Sequence, residues 1–210
     1  MITNFAAFLG ISIVVIITPG QDTALTIRNT LVGGRGAGIA TGAGVVSGLA
    51  TWTIASSAGL AAIIVASQPI FLAIRLIGAA YLVFLGLQAL WSALFARQPN
   101  GDKPAKWAPG HIEPFTAYRQ GMLSNLSNPK IVVFFLSLLP QFVARGSAFA
   151  GLLLCGAIFC AITLTWLTLY ALVVSRIGDF LRRDRIRRAM EATTGLVLVG
   201  LGLRVATNPR

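Results

Sequence analysis

Two prolines interrupt long apolar stretches at corresponding places in the two halves of this 210-residue chain. Pro19 lies in the segment TPGQD, residues 18–22, and Pro129 lies in the segment NPK, residues 128–130. A proline within a helix removes one backbone hydrogen bond and clashes with the carbonyl four residues earlier, so the helix breaks. Backbone groups freed in this way are tolerated at membrane depth only where they are enclosed by protein or line a cavity. The paired breaks therefore predict a transporter with its substrate site between them.

The composition is that of a membrane protein. The mean hydropathy is +0.79 and only 11% of the residues are charged, against about 25% in soluble domains. Because a membrane helix needs about 20 apolar residues, the chain has room for about six spans and no large soluble domain. The apolar runs predict helices over residues 4–27, 38–66, 70–95, 115–142, 148–174 and 190–206.

A segment rich in proline and charge, residues 97–114, divides this single transmembrane domain into two repeats, about residues 1–96 and 115–210. Three helices per repeat bring the second repeat into the membrane from the opposite face, as in inverted-repeat transporters. Pro19 then aligns with Pro129, and Gly86 aligns with Gly202. The predicted fold class is an all-α integral membrane protein of six transmembrane helices, built as two inverted three-helix repeats with broken first helices.

The net charge of +11 reflects basic residues between the apolar segments. We expect 12 of the 17 basic residues in loops one, three and five, including Arg28 and Arg35 in loop one. The positive-inside rule then places these loops in the cytoplasm and both termini outside. The arginine-rich segment 182–188 is expected to contact lipid headgroups, and nucleic acid is not an expected partner.

Asp22 is the one acidic residue within a mainly apolar segment. A carboxylate at membrane depth costs about 2.5 to 3.5 kcal/mol on insertion scales, so Asp22 is a functional candidate with an expected partner. The alternative is that Asp22 lies at the interface and only caps the second half-helix by accepting hydrogen bonds from its N–H groups.

Lys130 is the natural partner candidate for Asp22, because an inverted repeat would bring the two breaks together. Alternatively, its long side chain extends to the membrane interface. Nearby Asn and Ser side chains, including Ser127, would satisfy freed backbone groups or bind a zwitterion. The predicted substrate and coupling-ion residues are Asp22, Lys130, Asn128, Asn125 and Gln21, and the predicted helix-break residues are Pro19, Gly20 and Pro129.

Small residues on the second predicted helix predict close helix packing through Gly38, Gly42, Gly44 and Gly48. Such a face would also permit the helices to slide between transport states, or two copies of the chain to form a homodimer, and both alternatives stay open.

Enzyme chemistry is not expected. The chain has no Walker-type phosphate loop and no Gly-x-Ser-x-Gly motif, and its single histidine, His111, falls in the linker. Cys155 and Cys160 lie about 140° apart around one helix, so we interpret them as packing residues rather than a disulfide. We therefore expect no cofactor and no metal site.

At TPGQD, the glycine-rich second helix, NPK and the segment PQF at 140–142, the chain resembles the LysE/RhtB family of bacterial amino-acid exporters over essentially its whole length. Gln21 stands where the family pattern usually has a second proline. The resemblance implies a multi-pass protein of the bacterial cytoplasmic membrane that exports an amino acid or a close derivative, driven by the proton gradient.

On this reading the substrate carboxylate would lie at the positive end of a half-helix, and its ammonium would meet Asp22 or unwound backbone carbonyls. Protonation of Asp22 would be the coupling event. Three alternatives stay open: export of another small solute or a cation, a non-transporting scaffold or assembly factor, and a membrane thiol relay.

Overall fold

The computed structural model describes residue 2 and residues 4–66, 68–95, 111–144, 148–181 and 184–207. Regular structure in this part of the chain is helical, apart from one isolated bridge between Ile2 and Val143. The predicted all-α fold is therefore confirmed for these residues. The helices are α1 (Phe5–Ile17), α2 (Gln21–Ala66), α3 (Gln68–Phe95), α4 (Pro114–Leu126), α5 (Pro129–Val133), α6 (Ala148–Leu181) and α7 (Asp184–Thr207).

The first apolar stretch breaks at residues 18–20. The backbone N–H of Thr18 donates to the carbonyl of Val14 at 3.0 Å and ends α1. The next residue, Pro19, has no N–H, so it cannot continue the helical hydrogen bonding to Val15. Because α2 starts only at Gln21, the carbonyl of Val15 needs a donor from elsewhere in the protein.

Gly34 makes α2 turn back on itself with a left-handed φ of 76°, which glycine adopts without strain. Asn29 Nδ2 donates to Thr41 Oγ1 at 3.0 Å, whereas twelve residues of straight helix would separate them by about 18 Å. The predicted connection between residues 27 and 38 is therefore the place where the chain turns, but Gly34 alone supplies the turn and helical structure continues on both sides of it.

The second apolar stretch breaks at residues 127–128, where α4 and the run Pro129–Phe142 meet at 50°. Asn128 caps α5, since its Oδ1 accepts from the backbone N–H of Lys130 at 3.1 Å. Pro129 occupies the first turn of α5, where a missing N–H leaves no bond unmade. Beyond α5 the chain continues as a π-helix (Phe134–Leu138) and a 3-10 turn (Leu139–Phe142).

Helices from the two halves of the chain pack against each other through reciprocal contacts. The most extensive pairings join α2 to α4, α2 to α6, and α3 to α7. Gly42 lies against Leu167, and Gly156 lies against Thr53. Thr53 follows Gly42 by as many residues as Leu167 follows Gly156, so the α2–α6 contact repeats itself with the roles exchanged.

The α3–α7 contact shows the same reciprocity about the aligned pair Gly86 and Gly202. Each glycine lies against one carbonyl and one amide nitrogen of the other helix, at matching positions. The contacted atoms are Gly195 O and Val199 N for Gly86, and Ala79 O and Val83 N for Gly202. Reciprocal contacts of this kind are typical of units related by a twofold axis.

By length and composition, two described helical runs could cross a membrane, Gln21–Gly59 and Ala148–Arg176, and the bent pair at the second break is a third if it counts as one span. The first of these runs contains the turn at Gly34. Shorter apolar helices are Phe5–Ile17, Leu72–Gln88 and Gly195–Thr207. The six-span count, the repeat division and the orientation of the termini stay predictions. Residues 97–110 of the predicted linker, and Arg182 and Arg183, lie outside the described residues.

Replacement of Gly44 tests the crossing of α2 and α4. A Cβ at this position would collide with the carbonyl of Tyr118 and come within 2.9 Å of the amide nitrogen of Met122. Because main-chain atoms cannot rotate away, we expect Gly44→Ala to lower the stability by about 1–3 kcal/mol, measured as a lower melting temperature in detergent. Gly59→Ala is the matched control on the same helix, because no atom of the described part of the chain lies within 4 Å of a Cβ there. Equal melting temperatures of the two variants would contradict this crossing.

Candidate functional site

Asp22 lies in the first turn of α2 and its side chain is 9% exposed. Its carboxylate binds three side chains of the second half of the chain. Oδ1 accepts from Ser124 Oγ at 2.7 Å, and Oδ2 accepts from Asn125 Nδ2 at 2.8 Å and Asn128 Nδ2 at 2.9 Å. The carboxylate therefore does not cap α2, the alternative that the sequence left open.

The three donors to Asp22 are neutral, and each hydrogen bond to a charged group contributes about 1.5–3 kcal/mol. A buried carboxylate needs such compensation because burial removes its hydration. Ser124 was missing from the predicted site. The sequence could have indicated Ser124, because residues 124, 125 and 128 would lie on one face of a helix and all three are polar within an apolar stretch.

Lys130 binds the end of α1 rather than Asp22. Its Nζ donates to the carbonyl of Thr18 at 3.0 Å and to the carbonyl of Val15 at 3.2 Å. Lys130 was the partner candidate for Asp22, and the two residues are near enough to attract each other electrostatically, but the hydrogen bonds of the ammonium go to main-chain carbonyls. The physical reason is Pro19, which leaves the Val15 carbonyl without its helical donor, and the lysine ammonium supplies that donor.

Equivalent positions of the two halves supply the ligands of both charged groups. Val15 and Thr18 stand four residues and one residue before the first proline, as Asn125 and Asn128 do before the second. The first pair binds Lys130 through main-chain carbonyls, and the second pair binds the α2 carboxylate through side-chain amides. Each half thus holds the charged residue of the other half.

Gln21 and Gly20 adjoin the same cluster. Gln21 Nε2 donates to the carbonyl of Ser124 at 3.3 Å. Gly20 faces the lysine ammonium, because a Cβ on it would lie 3.1 Å from Lys130 Nζ. The structure therefore brings all five predicted substrate and coupling-ion residues to the two breaks.

The four glycines of α2 lie where neighbouring segments approach closely. One of these glycines, Gly48, lies against Asn125 Oδ1. This oxygen has no hydrogen-bond partner among the described residues. The contacts are Gly38 with Thr30 and Ala171, Gly42 with Leu167, Gly44 with Tyr118, and Gly48 with Asn125.

A second buried polar cluster, not predicted from the sequence, ties the two segments of α2 to α4. Asn29 Nδ2 donates to Gln120 Oε1 at 2.9 Å as well as to Thr41 Oγ1, and both Asn29 and Thr41 are fully buried. Asn29 Oδ1 also accepts from the guanidinium of Arg28 at 3.5 Å, and the cluster fixes the turn at Gly34 against α4.

An apolar groove of about 400 Å³ lies between α1 and α6. None of its lining residues binds Asp22 or Lys130, so the groove is distinct from the charged cluster. The lining residues are Ile13, Ile16, Ile17, Ala161, Ile162, Thr165, Trp166 and Leu169.

Metal and thiol chemistry have no support in the described part of the chain. It contains no group of three or more His, Cys, Asp or Glu side chains that could hold a metal ion. Cys155 and Cys160 are free thiols on α6, whereas a thiol relay needs cysteines that meet.

Exchange of an amide for a carboxylate at Asn128 tests the Asp22 network. Asn128→Asp keeps an oxygen to cap α5 but turns a donor to Asp22 into a second buried anion, so we expect a loss of at least about 2 kcal/mol. Adding Asp22→Asn removes the repulsion and reverses donor and acceptor, while the unpaired Oδ1 of Asn125 can rotate to accept. The double variant should recover most of the melting temperature. A double variant as unstable as the sum of both single variants would contradict the network.

The sequence profile of the family described as LysE type translocator matches residues 13–209. An uncharacterized membrane protein of Pseudomonas aeruginosa is 30% identical over 98% of this chain and 96% of its own length. A second one, from Bacillus subtilis, is 28% identical over 96% of this chain and 97% of its own length. A leucine efflux protein of Klebsiella pneumoniae is 28% identical over 98% and 96% of the two chains. No solved structure matches the chain.

The family match includes both helix breaks and every residue of the charged cluster. Members of this family are transporters rather than enzymes, and the related proteins are membrane proteins of bacteria. The protein is accordingly a multi-pass protein of a bacterial cytoplasmic membrane. Its chain belongs to the LysE type translocator family.

Proposed function

We propose that this protein is a secondary active exporter of amino acids or close derivatives, driven by the proton gradient. The observation that carries the proposal is the meeting of a carboxylate, an ammonium, side-chain amides and main-chain carbonyls at the two helix breaks. These groups complement the two charges of a zwitterion. Leucine efflux proteins of Klebsiella pneumoniae and Salmonella choleraesuis, 28% and 27% identical to this chain, make leucine the first substrate to test.

Both charged groups keep hydrogen-bonding capacity for a substrate. The ammonium of Lys130 carries three N–H bonds, of which two are used within the protein. On Asp22, Oδ1 accepts one hydrogen bond whereas Oδ2 accepts two. A zwitterion at the breaks could therefore make its first contacts with both charged groups before it replaces their present partners.

We further infer that the two halves are inverted repeats that move against each other during transport. The reciprocal glycine contacts between α2 and α6, and between α3 and α7, support this relation. In transporters of this kind the substrate binds at the repeat interface, and one repeat rocks against the other. Because each half holds the other's charged residue, such a movement would open these hydrogen bonds and let a substrate replace them.

Asp22 is the proposed coupling residue. An ionised carboxylate only accepts hydrogen bonds, whereas a protonated one carries a donor. Its three present partners all donate to it, so a proton on Asp22 would have to displace or reorient at least one of them. Protonation would thus change the hydrogen bonding between α2 and the second break, and this would couple the proton gradient to their contact.

Other functions fit the cluster less well. Around its single carboxylate the cluster presents amide N–H groups, and these donate hydrogen bonds and cannot coordinate a cation. A scaffold or assembly factor would leave both helix breaks and the buried charges without a role. Membrane lipids are proposed partners of the apolar outer surface, and homodimer formation stays a prediction.

Transport by the purified protein tests the proposed function. Labelled amino acids are loaded into proteoliposomes, and their efflux is measured with and without an imposed proton gradient. We expect gradient-dependent movement of leucine or a few other apolar amino acids. Absence of efflux for every amino acid tested would contradict the proposal.

Asp22→Asn separates the charge of the residue from its shape. The amide oxygen can accept from both asparagines while its NH2 donates to Ser124 Oγ, so we expect a folded protein with a melting temperature near that of the wild type. Gradient-driven efflux should fall at least about tenfold, because the group can no longer take up a proton. Glu113→Gln, which makes the same acid-to-amide change at an exposed residue just before α4, is the control and should retain the gradient response. Unchanged gradient-driven efflux in Asp22→Asn would exclude Asp22 as the coupling residue.

A further inference from the structure

The carboxyl end of α1 already binds a primary ammonium group, that of Lys130. The oxygens of Val15 and Thr18 receive this ammonium at 3.2 and 3.0 Å. Pro19 frees the first oxygen, and the dipoles at a helix C-terminus favour a cation. We call these two oxygens the α1 carbonyl site.

The cation in the α1 carbonyl site is not part of the helix that builds it. Lys130 reaches it from the second break, on a flexible four-carbon stem. Gly20 borders the ammonium without a side chain of its own, and a Cβ there would lie 3.1 Å from Nζ. The ammonium is therefore held by contacts that a movement between the two halves would separate.

We propose that the α1 carbonyl site binds the ammonium group of the transported solute, and that Lys130 occupies this site between transport cycles. This inference rests on the proposed function. When the substrate enters, its ammonium takes the oxygens of Val15 and Thr18, and the released ammonium of Lys130 pairs with the substrate carboxylate. The carbonyls keep one cation and the lysine gains one anion, so the exchange leaves no buried charge without a partner.

Lys130→Met removes the ammonium but keeps most of the apolar stem, and two fragments of leucine probe the two halves of the exchange. The first probe, 3-methylbutylammonium, is leucine without its carboxylate, and the second, 4-methylpentanoate, is leucine without its amino group. Dissociation constants are measured from the rise of the melting temperature with ligand concentration in detergent. We expect the amine to bind the variant on the order of tenfold more tightly than the wild type, because the site is vacant. The acid should bind on the order of tenfold more weakly, because its cation is lost.

Opposite changes for the two probes distinguish this exchange from a lysine that only stabilises the end of α1. A purely structural lysine predicts that both probes bind unchanged or both bind more weakly, and either result overturns the inference. Arg119→Met is the matched control, because it removes an exposed cation of α4 that lies over Phe115 and should change neither affinity. If Lys130→Met does not fold, Lys130→Gln is used, whose amide can donate to one carbonyl, and the same opposite directions are required.

The result of this binding experiment can be interpreted independently of the result of the efflux experiment. A wild type that exports no amino acid, together with tighter amine binding by Lys130→Met, would contradict the proposed function and support the α1 carbonyl site as a site for ammonium groups. Amino-acid export by the wild type, together with unchanged amine binding by the variant, would leave the proposed function intact and overturn the exchange.

Discussion

The centre of this protein depends on one hydrogen bond that Pro19 cannot make. Without a backbone N–H at this position, the carbonyl of Val15 has no helical donor, and an unpaired buried carbonyl costs about as much as a lost hydrogen bond. The donor comes from Lys130, 115 residues further along the chain. This long-range contact places the second break against the first and positions the lysine and the Asp22 network beside each other.

The direct hydrogen bonds of the two charged groups come from neutral dipoles of the opposite half, beside the longer-range attraction between Asp22 and Lys130. A direct buried ion pair is costly to separate, because each partner would be left as an uncompensated charge. Amides and carbonyls hold Asp22 and Lys130 through several hydrogen bonds of moderate strength, and these can be replaced one at a time by similar groups of a substrate. Such an arrangement suits a site that must bind and release a zwitterion in every cycle.

Glycines fix the distances between the helices of this arrangement. At Gly44 and Gly86 the backbone of one helix contacts backbone atoms of another, so the separation of the helices is fixed by main-chain atoms that have no alternative rotamers. At Gly34 the missing side chain permits the turn that folds α2 onto itself. Close contacts of this kind are the usual basis of helix association in lipid, where apolar side chains gain little from leaving the solvent.

The sequence by itself determined the membrane class, the positions of both breaks and most of the residues that gather there. A proline breaks a helix, and a charge in an apolar segment needs compensation, wherever the segment packs. The sequence did not determine which groups bind each other. It left Lys130 either as a partner of Asp22 or as a side chain that extends to the interface. Only the tertiary structure showed that Asp22 binds Ser124 and the two asparagines, while Lys130 binds the carbonyls of Val15 and Thr18. The reason is that a hydrogen-bond partner is chosen by distance and direction in three dimensions, and those depend on how the two halves pack.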